Sequence, residues 1–563
     1  MSIRAIFFLV LTSIYFASVS HAQVQIVQIS DTHSKLDNWV QVLNNIDHLG
    51  QNFLQDEPEG EFIVYFNGDV TGINLFSEDD KGLETLLGLK LLRERGYTVV
   101  FNVGNHDSFD WASPELNEAE LFLSQMKQMQ EWGVILITSN IKKPVKFLQE
   151  LLSPHYKMKG LAKPSYLLGL TIKNLLKKSN LTKGNAATLF RDVIKYKASI
   201  VKSIKLLKKE GVKDADLFIG VHKGHTNLAK LAKKLRDWSI AKGSRFKFPL
   251  LMAGDDHLVS SYRSAYNGPL VSNAGSHGGF NLLSYSREGE LLELVHYEVE
   301  DGASTYEEFN LGARRLQSTR LKTPVFLSDY ADKLSALISR VRAANSKPLF
   351  ALTKDIEENK HDMKVNATVY GSMIPEALRL WAGEGADLRH RGEVIVAMSH
   401  SSSYRTERRF KKGEILSSLD INEIYPFPQE VSLFRMTGRE INKLFKALKK
   451  SYAITNPNRY TPQLSLNLRE TSDGSLEFLT KNKRWKSFKP RQTYLVAFDA
   501  WLSMNRFGEG PELKEWIKAM SSKKPLQSAA QKDILLTHWL QVLESNGFGL
   551  TEEKSCSIKL QTQ

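Results

Sequence analysis

Cysteine is almost absent from this sequence: the only one in 563 residues is Cys556, so no disulfide can form within the chain. Stability therefore has to come from a packed core and from any bound metal. Long apolar runs are missing too. Beyond the first 22 residues no segment approaches the roughly 20 apolar residues that a membrane-spanning helix needs. Neither an internal repeat nor a low-complexity tract is found, which argues against a solenoid or a disordered linker protein. Acidic residues are scarce in one region: 141–249 holds 6 Asp or Glu against 26 Lys or Arg, which more than accounts for the net charge of +14. Such a basic face can attract anionic substrates, nucleic acid or membrane surfaces, or it can be a set of lysine-coated solvated helices. The excess of Lys over Arg and the sparse aromatics favour the second reading.

What is present is the composition of a soluble globular protein, 42% hydrophobic and 25% charged. At this length one core is not enough, and two folded domains are expected. The first 22 residues carry Arg4, an apolar run over 5–17 broken only by Thr12 and Ser13, and then Ser20, His21 and Ala22. This reads as a secretory signal peptide cleaved after Ala22, which places the mature chain in the periplasm or outside the cell.

Five short β-type runs each end in polar residues suited to binding metal. Residues 25–29 lead into Asp31 and His33, 62–66 into Gly68 and Asp69, and 98–103 into Gly104, Asn105, His106 and Asp107. Further on, 217–221 leads into His222, and 249–253 into Gly254, Asp255, Asp256 and His257. Residues 36–49 have helical spacing, so the first unit reads as strand, loop, helix. In α/β sheets the loops at the carboxyl ends of strands converge on one crevice, so ligands far apart in sequence can meet there. Each motif alone has an ordinary explanation; Asp31, for example, could simply cap the helix that follows. Their order at five successive strand ends is what points to one polynuclear centre.

That ordered set resembles the calcineurin-like metallophosphoesterases, whose pattern runs Asp-x-His, Gly-Asp, Gly-Asn-His-Asp or Glu, a lone His, and Gly-His-x-His. The resemblance covers about residues 24–300. It implies a four-layer α/β/β/α sandwich over 23–325 and two divalent ions, Zn, Mn, Mg or Co. Asp31, His33, Asp69 and His257 would hold one ion, and Asp69, Asn105, His222 and Asp255 the other. A hydroxide activated by the ions would attack phosphorus, with His106, oriented by Asp110, assisting the departing oxygen. Asp255 stands where the family has a histidine, which would favour harder ions such as Mn²⁺ or Mg²⁺.

After a helix expected over 326–345, residues 346–563 read as a second, smaller α/β domain, making the whole a two-domain α/β protein. It resembles the C-terminal substrate-binding domain of bacterial 5'-nucleotidases in three places: 424–428, Met436 to Glu440, and Gly508 to Gly510. The resemblance implies that Phe427 and Trp501 sandwich a base while Arg405 and Glu509 contact phosphate or ribose; the bland reading leaves both rings in the core. The family's Asn-Gly-Gly-Gly-x-Arg loop reads His400, Ser401, Ser402, Ser403, Tyr404, Arg405 here, so three glycines are replaced.

The function expected is an exported phosphoesterase that hydrolyses nucleoside 5'-phosphates or related nucleotide esters. Alternatives are a hydrolase of cyclic nucleotides, nucleotide sugars or non-nucleotide phosphoesters, and a binding protein with a decayed metal site. Its partner would be the phosphoester substrate, with no obligate protein partner, nucleic acid or membrane, in a monomer or weak dimer. Mass spectrometry of the exported protein is expected to find Gln23 as the first residue; an exported chain that retains Met1 would disprove cleavage.

Overall fold

The computed structural model describes residues 22–551 except 34–35, 37, 73–81, 108–117, 143, 173–174, 176–188, 190–191, 224, 256–258, 264–268, 276–278, 301–302, 311–312, 318–327, 347, 359–361, 363–367, 386–392, 401–408, 425–429, 456–461, 500–524 and 531–533. The chain divides into two compact units, Met1–Ile338 and Ser339–Gln563. The dividing point falls inside the helix Ser328–Asn345.

The first unit is built on two sheets. Eight strands form one, in the order Ala313–Gln317, Ala303–Asn310, Leu291–Glu300, Phe280–Ser286, Ala22–Ile29, Glu61–Asn67, Thr98–Asn102, Ile135–Leu136. The last four of these run parallel, and the others continue as an antiparallel ladder. The second sheet orders Val259–Arg263, Leu270–Ala274, Lys247–Ala253, Asp216–Val221, Ser165–Leu170 and Tyr156–Met158, with a parallel centre and antiparallel edges. Parallel strands covered on both faces read as unbroken apolar runs, and every residue of Glu61–Asn67 is buried.

Side chains from both sheets share one core. Val24, Ile26, Ile63, Tyr65 and Val100 of the first pack with Leu167, Phe218, Leu250 and Met252 of the second. On the far face of the second sheet, Ile200, Ile204 and Leu207 of the helix Tyr196–Lys209 and Leu228, Leu231 and Leu235 of His225–Ala241 cover Leu168, Ile219 and Val221. On the far face of the first, Trp39 of the helix Trp39–Asp56 lies against Phe66, with ring centroids 6.2 Å apart. Helices therefore flank two stacked sheets in four layers. That helix begins at Trp39 and runs to Asp56, beyond the 36–49 expected from sequence, because Ile46 and Phe53 carry its buried stripe onward. The basic segment 141–249 contributes both helices over the second sheet, and their apolar stripes face inward.

Register sets where the strands end. Ile29 pairs with Phe66, and Phe66 with Phe101, so three consecutive strand ends lie side by side. In the second sheet Leu170 pairs with Val221 and Gly220 with Met252, which aligns the exits to His222 and Asp255.

In the second unit, five strands run in the order Pro462–Leu464, Ile395–His400, Thr493–Asp499, Glu430–Thr437, Gln527–Ala530. Leu444, Phe445 and Leu448 of the helix Gly438–Thr455 pack on one face, and Leu378, Trp381 and Ala382 of Val369–Gly385 on the other. Thr437 and Glu440 form a reciprocal cap at the start of the first helix: the Thr437 N–H donates to Glu440 Oε2 (2.7 Å) and the Glu440 N–H to Thr437 Oγ1 (3.3 Å). Among the described residues no helix is long and apolar enough to cross a membrane.

The two sheets of the first unit meet closely at Gly220, where a Cβ would overlap the buried Tyr65 hydroxyl and ring. Gly220→Ala is expected to cost about 1–3 kcal/mol, an overpacking penalty, read as a lowered urea midpoint. An unchanged midpoint would show that the sheets can separate to admit a methyl group.

Candidate metal centre

The aligned strand ends are tied together by backbone before any side chain takes part. The Asp31 N–H donates to the Gly68 carbonyl at 3.1 Å, and the His33 N–H to the Asp69 carbonyl at 2.9 Å. Gly68 has φ +88°, and a Cβ on it would lie 2.6 Å from His222 Nδ1. A Cβ on Gly104 would overlap the Asp69 backbone and carboxylate. Both positions therefore require glycine for close approach. Among the described residues five non-glycines have left-handed φ, and four of them are Asp31 (56°), His33 (52°), Asp69 (53°) and Asp255 (68°). Each such conformation costs on the order of 1–3 kcal/mol and persists only where the surroundings hold it, as at a functional site.

Much of that hold comes from Asp107, which is buried and accepts three backbone N–H groups: Gly104 at 2.6 Å, Asp69 at 2.9 Å and Thr71 at 3.0 Å. Burial and the nearby Asp69 push its pKa up to about 6, against the opposing pull of the Gly104 and Thr71 donors. Asp107 thus locks the loop after the second strand of the site to the loop after the third.

Asp69 lies at the middle. Its Oδ1 accepts the His106 N–H at 2.8 Å, and its Oδ2 is 2.9 Å from His222 Nε2 and 4.0 Å from His106 Nε2. Burial alone would raise its pKa, but His222, His106 and His33 hold it well below the usual carboxylate range. His222 donates from Nδ1 to the Asn67 carbonyl at 2.7 Å, which turns Nε2 toward Asp69. Burial disfavours its charged form, yet Asp69, with Asp31 and Asp255, raises its pKa to about 10. Asp31, fully buried, is pushed up to about 8 by desolvation reinforced by Asp69 and Asp255, with His222 opposing. Both Asp31 oxygens are 3.1 Å from the Asp255 N–H.

Two sets of side chains bring one ligand atom each within 4.8 Å of one another: His33, Asp69 and His106, and Asp31, Asp69 and His222. Asp69 belongs to both, the arrangement of a carboxylate that bridges two ions. The buried Asn105 Oδ1 has no hydrogen-bond partner among the described residues. A buried acceptor left so is costly unless a cation or water takes it, so carboxylates, imidazoles and this amide oxygen suit a pair of divalent cations.

Of the residues singled out from sequence, Asp31, His33, Asp69, Asn105, His106, His222 and Asp255 are described. Asp255 is at the site through its backbone, while its carboxylate lies outside both ligand groups and 2.9 Å from Lys223 Nζ. His257, Asp110, Arg405, Phe427, Trp501 and Glu509 lie outside the described residues. Asn67 and Lys223 neighbour motif residues and Asp107 closes the Gly-Asn-His-Asp motif, but only tertiary contacts reveal what each does.

Comparison with known proteins agrees with this geometry. Residues 24–257 match the calcineurin-like phosphoesterase family, and 350–515 match the 5'-nucleotidase C-terminal domain. Both families are phosphate ester hydrolases, and the first uses divalent metals. Among solved structures, a 5'-nucleotidase precursor from Thermus thermophilus superposes with a TM-score of 0.66 at 15% identity, covering 94% of this chain and 97% of that one. For a 5'-nucleotidase from Candida albicans the TM-score is 0.57 at 11% identity, covering 94% and 98%. The sulfate thiohydrolase SoxB of Thermus thermophilus gives 0.55 at 12%, covering 93% and 94%. At these identities the likeness establishes a shared two-domain fold. No curated protein matches the chain.

Asp107→Asn is expected to lower stability by about 2 kcal/mol, because an amide cannot accept on both of its ends and one buried N–H is left unsatisfied. Chemical denaturation measures this, and a loss under about 0.5 kcal/mol would mean the loops are held by other contacts.

Proposed function

From a chain whose first domain belongs to the calcineurin-like phosphoesterases and whose second is a 5'-nucleotidase C-terminal domain, we propose an exported enzyme that hydrolyses nucleoside 5'-phosphates, or related nucleotide esters, to nucleoside and phosphate. The observation that carries this reading is Asp69, shared by two ligand groups at aligned strand ends. We assign 23–325 to the phosphoesterase domain, 326–345 to a linker helix and 346–563 to substrate binding. The apolar segment ahead of Ala22 supports export.

Following the family pattern, Asp31, His33, Asp69 and His257 would hold one divalent ion, and Asp69, Asn105 and His222 the other, with the Asp255 carboxylate turned to Lys223. This keeps Asp69 shared between the ions, but it parts Asp31 from His222 and leaves His106 unligated, so it divides the side chains differently from the two close groupings. Such a pair of ions supplies a water nucleophile near neutral pH and neutralises charge on the phosphoryl oxygens. The protein's own groups do the rest. Asn67 fixes the His222 tautomer, and Asp107 keeps Asp69 and Gly104 in one rigid loop pair, so the ligand atoms are positioned in advance. His106, anchored through its N–H to Asp69 and part-exposed at its ring, is placed to give a hydrogen bond or a proton to the leaving oxygen. Phe427 and Trp501 would stack on the base, which distinguishes nucleotides from other esters without selecting one base. Arg405 and Glu509 would contact phosphate and ribose.

A second reading within the same chemistry is a cyclic nucleotide, nucleotide sugar or non-nucleotide phosphoester. Ser401, Ser402 and Ser403 favour it, standing where the nucleotidase pattern has glycines and so changing how closely the backbone can approach a ligand.

The test is hydrolysis of a panel of nucleoside monophosphates, cyclic nucleotides, nucleotide sugars and sugar phosphates, each with Mn²⁺, Zn²⁺, Mg²⁺ and Co²⁺, read by chromatography of the nucleoside and phosphomonoester products together with released phosphate. Monophosphates are expected to lead, and Trp501→Ala to raise their KM by about 10- to 100-fold with little change in kcat. A panel in which no nucleotide is hydrolysed with any metal would overturn the proposal.

A further inference from the structure

Lys223 follows His222 directly and is joined to the neighbouring strand end twice. Its carbonyl accepts the Gly254 N–H at 3.3 Å, and its Nζ lies 2.9 Å from Asp255 Oδ2. The two side chains are 19% and 9% exposed, so the pair is largely withdrawn from water, where an ion pair is screened least. Asp255 in turn gives its N–H to both oxygens of Asp31. Lys223, Asp255 and Asp31 therefore form a continuous chain of contacts from the rim to one of the ligand groups. Within that neighbourhood Asp31, Asp69, Asp107 and Asp255 bring four carboxylates, and His33, His106 and His222 bring three imidazoles.

We propose that Lys223 is a positioning residue that, paired with Asp255 as one electroneutral unit, sets the affinity of the centre for divalent cations. This rests on the reading of the site as a metal centre. The reasoning is electrostatic. A carboxylate left beside the centre without its ammonium adds attraction for a cation, whereas an ammonium left without its carboxylate adds repulsion. A unit charge on a residue in direct contact with a ligand-group residue is worth on the order of a tenfold change in affinity for a divalent cation. Together they cancel, and the Asp255 backbone keeps its hold on Asp31 whatever its side chain carries. Asp255 then need not ligate an ion for its side chain to govern binding.

The experiment is titration of Mn²⁺ into the full-length, EDTA-stripped protein by calorimetry, with metal content measured in parallel by elemental analysis. Lys223→Met is expected to tighten Mn²⁺ binding by about tenfold and Asp255→Asn to weaken it by about tenfold. The double variant is expected to return to within about threefold of the wild type, because the two opposite single effects sum to nearly zero. Lys223→Arg keeps the charge and is expected to bind as the wild type does, which separates electrostatics from a purely structural role. Melting of the stripped proteins checks folding, and Asp255→Asn with Lys223→Arg carries the test should Lys223→Met not fold. Single variants within threefold of wild type, shifts in the same direction, or failure of arginine to restore affinity would each overturn the inference. A wild type that binds Mn²⁺, with variants that shift as expected, but hydrolyses no phosphoester would leave the inference standing and overturn only the proposed activity.

Discussion

The Asp69 carboxylate, sealed from solvent between His222 Nε2 at 2.9 Å and the His106 amide at 2.8 Å, is the contact on which the rest of the centre depends. A buried carboxylate is costly unless compensated, and here Asp31 and Asp107 are buried in the same neighbourhood. With only protein groups present, the compensation comes from the His222 imidazole against Asp69 and from backbone N–H donors to Asp69 and Asp107. Divalent cations are a fuller solution, since they satisfy the clustered carboxylates and the Asn105 oxygen together. The clustering of carboxylates and imidazoles is what a candidate site for divalent ions requires.

Holding those groups in place costs conformational energy, and the structure shows where it is recovered. Four ligand-region residues sit in left-handed backbone conformations that are sparsely populated for non-glycine residues. They stay there because Gly68 and Gly104 let two loops approach closely, and because Asp107 gathers N–H groups from three residues on one buried carboxylate. Beneath them, the parallel strands share a core drawn from both sheets. A rigid scaffold with strained tips is how ligands from distant parts of the chain keep a fixed geometry without a disulfide.

Much of this was legible in advance. Glu61–Asn67 and Asp216–Val221 announce themselves as apolar runs, since strands buried on both faces have little choice of residue. The candidate ligands at their ends were readable because Asp, His and Asn are among the few side chains that can hold a divalent ion, and here they directly follow strand-type runs. Asp255 was not readable in the same way. Its residue type suggests a ligand, whereas its carboxylate meets Lys223, a contact between residues 32 positions apart. Asn67 was equally hidden, because it acts through its backbone carbonyl, which every residue possesses.

The class of fold, the order of the strand ends and the residue types of the candidate ligands could be read from sequence alone, because these depend on local periodicity and residue identity. Tertiary structure alone decided that Asp69 is shared by two ligand groups, that Asp107 ties two loops together and that Lys223 takes the Asp255 carboxylate. Those outcomes follow from strand register and from contacts between segments as far apart as 224 residues, such as the Asp255 N–H on Asp31. Local sequence carries no record of such distances.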